Sequence, residues 1–187
     1  MKRILLLVTV ALMLAAAMAL LGVAQARPIA DSADAKCAKL AIKTLGPSFN
    51  PSNYTFIGGT EGDDNFTGQA TDGPYVFCGF GGDDFIHTLD QGDIFLGGAD
   101  NDFVDFNFGG TFYGQEGNDL VVDNDGGSTF YGGAGNDFVG FNYGGPPEEV
   151  NTFYGGAGDD VVDINEGTFY GQEGNDSVNT NFGIFVQ

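Results

Sequence analysis

The sequence predicts an all-β fold: a right-handed parallel β-solenoid of seven coils of about 18 residues, behind a short N-terminal cap. Three observations lead there. A glycine- and aspartate-rich segment recurs seven times from residue 59 onward. Each copy carries short apolar runs separated by turns, the mark of short strands. The 32 glycines leave no helical period intact through this region, since each costs about 1 kcal/mol inside a helix.

From the N-terminus, Lys2 and Arg3 precede an apolar run over residues 4–23, and Ala24-Gln25-Ala26 follows as an A-x-A signal. This pattern predicts an export signal peptide over residues 1–26, cleaved after Ala26, and so a secreted, extracellular protein; an uncleaved membrane anchor is the rival reading. Residues 27–55 form a separate cap segment. Within it Ala33–Leu45 (ADAKCAKLAIKTL) is rich in helix formers, and Pro47 and Pro51 end the pattern. A solenoid end exposes unpaired strand groups and an apolar cross-section, which a cap should cover. Cys37 lies in this segment and Cys78 near the second copy. Export would let a bridge between them persist and pin the cap; two free, partly buried thiols are the alternative the sequence leaves open.

The solenoid proper occupies residues 56–187. Its copies begin at Gly59 (GTEGDDNFT), Gly79 (GFGGDDFIH), Gly97 (GGADNDFVD), Gly114 (GQEGNDLVV), Gly132 (GGAGNDFVG), Gly155 (GGAGDDVVD) and Gly171 (GQEGNDSVN), at spacings of 20, 18, 17, 18, 23 and 16 residues. The longest spacing holds an insertion, Pro146-Pro147-Glu148-Glu149-Val150. Position six is aspartate in every copy: Asp64, Asp84, Asp102, Asp119, Asp137, Asp160 and Asp176. Position eight is apolar in every copy (Phe66, Ile86, Val104, Val121, Val139, Val162, Val178). A phenylalanine stands two residues before each later copy, from Phe77 to Phe169, and Phe185 closes the series. With strands about 4.8 Å apart, these two columns become inward ladders that fill the core between two sheets. Between them lies a second turn at Asn107, Asn124, Asn142, Asn165 and Asn181.

GGAGNDFVG at 132–140 and GGAGDDVVD at 155–163 resemble the nonapeptide of RTX (hemolysin-type calcium-binding repeat) proteins, G-G-x-G-x-D-x-U-x with U a large apolar residue. The other copies depart at positions two or four, with Thr60, Phe80, Gln115, Gln172 and Asp100. The resemblance implies a β-roll in which each Ca2+ sits between adjacent loops, held by loop carbonyls and the position-six aspartates. The chemistry agrees. Calcium takes six to eight oxygens, glycines turn carbonyls toward one point, and an unneutralised column of aspartates one strand apart repels itself. Seven loops in one file leave six gaps, so about six ions are expected. RTX rolls carry the loop every nine residues on both edges; here it recurs once per coil, on one edge. The opposite edge reads as an asparagine ladder, with Asp105, Asp123, Asp125 and Asp163 as further oxygen donors there.

The charge supports cations as partners. Asp and Glu number 26 against 6 Lys and Arg, a net charge of −20. Such a chain does not bind nucleic acid through phosphates and is repelled by an anionic membrane. No enzyme is expected: His87 is the one histidine, and no G-x-S-x-G or H-E-x-x-H motif occurs. The function expected is a structural or adhesion role outside the cell with calcium-dependent folding. The alternative is a ligand-binding face for ice or carbohydrate, made by an outward Thr column (Thr111, Thr129, Thr152, Thr168) beside a Tyr column (Tyr113, Tyr131, Tyr154, Tyr170). Stacking of good strand residues accounts for the same pattern.

Overall fold

Strand-length apolar runs broken by glycine turns fold as the periodicity requires. In a computed structural model, residues 32–66, 73–146 and 149–187 are described. The expected signal peptide and the first part of the expected cap segment lie outside them. Among the described residues fourteen strands are divided between two parallel sheets. The first sheet holds β1 (Thr55–Gly58), β2 (Tyr75–Gly81), β4 (Ile94–Ala99), β6 (Thr111–Glu116), β8 (Thr129–Ala134), β10 (Thr152–Ala157), β12 (Thr168–Glu173) and β14 (Ile184–Val186), in that order. The second holds β3 (Phe85–Leu89), β5 (Phe103–Phe108), β7 (Leu120–Asp125), β9 (Phe138–Asn142), β11 (Val161–Asn165) and β13 (Ser177–Asn181). Each coil contributes one strand to each sheet. The first copy has only an isolated bridge, Asn65 to Phe85, where the others have a strand of the second sheet.

Register follows the sequence columns. Phe112, Phe130, Phe153 and Phe169 pair strand to strand, as do Val104, Val121, Val139 and Val162. All eight side chains are fully buried. From Phe95 to Phe185 the rings stack at centroid distances of 4.7–4.9 Å. One core thus runs the length of the molecule between the sheets, closed near its first coil by Phe66 against Phe77 and Phe95.

Helix α1 (Ala33–Leu45) starts at Ser32, whose hydroxyl accepts from the Ala35 N–H. It is not laid across the core. Its buried residues Cys37 and Ala41 cluster with Val76, Cys78, Ile94 and Leu96, which alternate with the inward Phe77 and Phe95 and so face outward. The helix therefore covers the outer wall of the first sheet, where the outward columns are still apolar; from β6 onward the same columns read Thr and Tyr. Phe80 adds to this cluster. Cys37 and Cys78 form a disulfide that ties the helix to β2. Replacing both cysteines by serine should cost about 2–4 kcal/mol, read as a lower urea midpoint in calcium, with a somewhat steeper slope because the unfolded chain is freed. Among the described residues no helix is long and apolar enough to cross a membrane.

Candidate metal centre

In the second to seventh repeats the first three residues continue a strand of the first sheet, and position six ends the turn that leads into the second. Positive φ recurs at positions two and four. Even non-glycine residues adopt it there: Phe80 (79°), Gln115 (85°) and Gln172 (82°) at position two, Asp100 (72°) at position four. The loop geometry is therefore imposed by the stack, and glycine is the residue that accepts it without strain. At Gly135 the constraint is also steric, since a Cβ would overlap the Gly117 carbonyl oxygen of the coil before.

The seven aspartates form one file along this edge. The backbone N–H groups of Asp64, Asp84, Asp102, Asp119, Asp137 and Asp160 each donate to Oδ1 of the aspartate in the next coil, at 2.7–3.0 Å. The second oxygen, Oδ2, is buried and has no hydrogen-bond partner in Asp84, Asp102, Asp119, Asp137, Asp160 and Asp176. Asp64 differs: its Oδ2 accepts from the backbone N–H and the hydroxyl of Thr60.

Each orphaned oxygen hangs over the first glycine of its own loop. The place a Cβ on Gly114 would take lies beside Asp119 Oδ2 and 2.6 Å from the Gly132 carbonyl oxygen of the next coil. The same pairing recurs at Gly79 with Asp84 and Gly97, at Gly97 with Asp102 and Gly114, at Gly132 with Asp137 and Gly155, and at Gly155 with Asp160 and Gly171. Two acceptors converge on one point in five successive gaps, an arrangement that needs a proton, a cation or a donating water between them. The residues present fit calcium in this respect: hard oxygen donors, one charged and the rest backbone. Among the described residues no three Asp, Glu, His or Cys side chains gather to hold a metal, so the backbone must supply part of any coordination shell.

Burial sets the electrostatics. It pushes Asp102 up to about 8, Asp119 and Asp137 to about 7, and Asp84 and Asp160 to about 6, from 3.8. The donated backbone N–H groups pull the other way. Neighbouring aspartate charges add to the rise for Asp84, Asp102, Asp137 and Asp160. Desolvation leads in each, as expected for carboxylates facing no counter-charge.

A second column runs beside the first. Position five is Asp or Asn in all seven copies. Its Oδ1 accepts from the backbone N–H of the following coil, as in Asp83 to Asn101, Asn101 to Asn118 and Asn118 to Asn136. The polarity is opposite to that of position six, so each loop is clasped from both sides. Sequence reasoning gives position five no role, because Asn and Asp at a turn are explained by the turn alone; the signal was the absence of any third residue type.

On the opposite edge Asn107, Asn124, Asn142, Asn165 and Asn181 form the expected ladder, each Nδ2 donating to the next Oδ1 at 2.7–3.0 Å. Ser128 and Asn151 extend it: the Ser128 hydroxyl donates to Asn124, and Asn151 Oδ1 accepts from the Gly127 and Ser128 N–H groups. The outward tyrosines of the first sheet stack at 4.7–5.1 Å with nearly parallel planes. This commits both faces of Tyr131 and Tyr154 to neighbouring rings. Thr168 of the neighbouring column is buried rather than exposed. His87, exposed, pairs with Asp105 at 2.9 Å, away from the aspartate file.

Comparison with known proteins adds one match. The family model described as RTX calcium-binding nonapeptide repeat (4 copies) matches at residues 79–112, 113–141 and 150–167. No curated protein and no solved structure matches.

Proposed function

We propose, from the premise that this chain is an RTX β-roll protein with calcium-binding repeats, that its folding is coupled to calcium and that it serves a structural or adhesive role outside the cell. The observation that carries the reading is the file of six buried, unpartnered carboxylate oxygens, five of them facing a carbonyl of the next coil. In this reading Asp64, Asp84, Asp102, Asp119, Asp137, Asp160 and Asp176 are the charged ligands, about six ions occupy the gaps, and the loop carbonyls complete each shell. Calcium supplies the positive charge that the column lacks. The chain's own residues do the rest: backbone N–H groups fix one oxygen of each carboxylate, and the glycines keep the other from being blocked.

The reading takes residues 1–26 as a signal peptide, 27–55 as the cap and 56–187 as the calcium-binding solenoid. A disulfide in the folded protein suits export, since such bonds persist in oxidising compartments. Modules of this kind outside cells bind calcium at about 10⁻⁴–10⁻³ M, so the chain would stay unfolded in the low-calcium cell interior and become rigid after export. No catalytic role is assigned: the regular file of carboxylates suits ligation, and His87 stands apart from it.

Circular dichroism tests the coupling. The mature chain should show a β spectrum and a cooperative melt in millimolar calcium; in EDTA the β spectrum should weaken and the melt should move to a much lower temperature, with recovery on adding calcium back. Identical spectra and melting temperatures in the two conditions would refute the proposal.

A further inference from the structure

The outer wall of the second sheet takes no part in the calcium edge. Phe85, Phe103, Leu120, Phe138 and Val161 pair in register along it, each half-buried, and Phe85 and Phe103 stack at 5.3 Å. They alternate with the inward Ile86-to-Val162 column and so face solvent. Beside them Phe108 and Phe141 are 43 % and 36 % exposed. Asp123 lies in register between Phe106 and Phe141. Burial and the charges of Asp105 and Asp125 raise its pKa. Asp163 lies further along the same wall. No lysine or arginine occurs after Lys43, so nothing but His87 balances these carboxylates.

The molecule shows what such a wall accepts. On the first sheet, α1 buries Cys37 and Ala41 against outward apolar residues while Lys36, Lys39 and Lys43 stay exposed. It is a basic amphipathic helix lying on an apolar solenoid wall. The second wall repeats those conditions, with aromatics in place of aliphatics and more negative charge. Five rungs span about 19 Å, the length of a helix of about 13 residues; α1 itself has 13.

We propose that the outer wall of the second sheet docks a basic amphipathic helix of a partner protein, its apolar face on the phenylalanine column and its lysines or arginines on Asp105, Asp123, Asp125 and Asp163. The aromatic column supplies the buried area, and Asp123 among aromatic rings supplies a charge-assisted anchor favouring arginine. In the proposed function calcium is held by the position-six aspartates on the neighbouring edge, which leaves these four carboxylates to the partner helix.

The protein has no tryptophan, so a helical peptide of alternating leucine and lysine faces with one tryptophan reports its own binding. Titrated with the mature chain in millimolar calcium, its fluorescence should shift blue and saturate. A peptide of the same composition in scrambled order should bind at least tenfold more weakly. Phe106→Ser with Phe141→Ser should weaken binding at least tenfold, Asp123→Asn about threefold, and Tyr131→Ser on the first sheet should leave it unchanged, each variant keeping the wild-type β spectrum. Equal binding of the scrambled peptide would reduce the effect to bulk charge and overturn the proposal. So would an undiminished Asp123→Asn variant, a loss at Tyr131→Ser, or no saturable binding.

Discussion

Without calcium, the protein should be more stable at pH 5 than at pH 8. Asp84, Asp102, Asp119, Asp137 and Asp160 have folded pKa values raised by burial to about 6–8, against 3.8 for an ordinary aspartate. A group whose folded pKa is raised contributes stability that is fully present below the unfolded value and lost as pH rises through the folded one. The window therefore runs from about pH 4 to pH 8. Across it the calcium-free melting temperature should fall by about 5 °C or more as pH rises. Calcium reverses the sign, because the ion replaces protons on the same oxygens, so affinity should rise with pH between 6 and 8. General charge relief would also favour acid, and Asp102→Asn separates the two. The neutral side chain should raise calcium-free stability at pH 8 and flatten the profile, while weakening calcium binding in the gaps it lines. A calcium-free melting temperature that is flat, or that falls on acidification from pH 8 to 5, contradicts the proposed electrostatics.

Asp137→Ala should lower the melting temperature in calcium by about 10 °C and remove about two ions, against about one for Asp176→Ala. Asp137 lies between Asp119 and Asp160 in the file and takes the Asp119 N–H on its Oδ1. Its loss opens two gaps and leaves a buried donor unpaired, which alone costs about 1–3 kcal/mol. Asp176 faces one neighbour, Asp160. In EDTA the order should invert or vanish, since truncating Asp137 then removes a buried, uncompensated charge. Ion counts by native mass spectrometry and melts by calorimetry check both halves. A larger loss at Asp176 than at Asp137 is incompatible with ions held in one file.

Much of this was legible because the repeat fixes phase. A residue type that recurs once per coil must stack on itself, so the Asp, Asn, Val and Phe columns could be placed before any coordinates. What sequence could not place is whatever breaks the repeat. The helix over Ala33–Leu45 announces itself by composition, but not the wall it covers. The clue lay in β2 and β4, where YVFCGF and IFL are apolar at both parities, as a strand buried on two faces must be. Polar direction was also out of reach: nothing in the letters says that position five accepts from the coil after and position six accepts a bond from the coil before. That asymmetry is decided by how the positive-φ residues turn the chain.

The two edges of the solenoid are chemically unlike, carboxylate and carbonyl on one and asparagine on the other, and the main ladder on each joins aspartate to aspartate or asparagine to asparagine. This sets the grain in which such a molecule can change length. A tandem duplication or deletion of a whole coil puts aspartate back beneath aspartate and amide beneath amide. A step of half a coil would set a charged loop against the amide column and mispair every ladder at once. Related chains should therefore differ by whole coils of about 18 residues, and irregular insertions should collect where one already does, between Tyr143 and Asn151 on the asparagine edge.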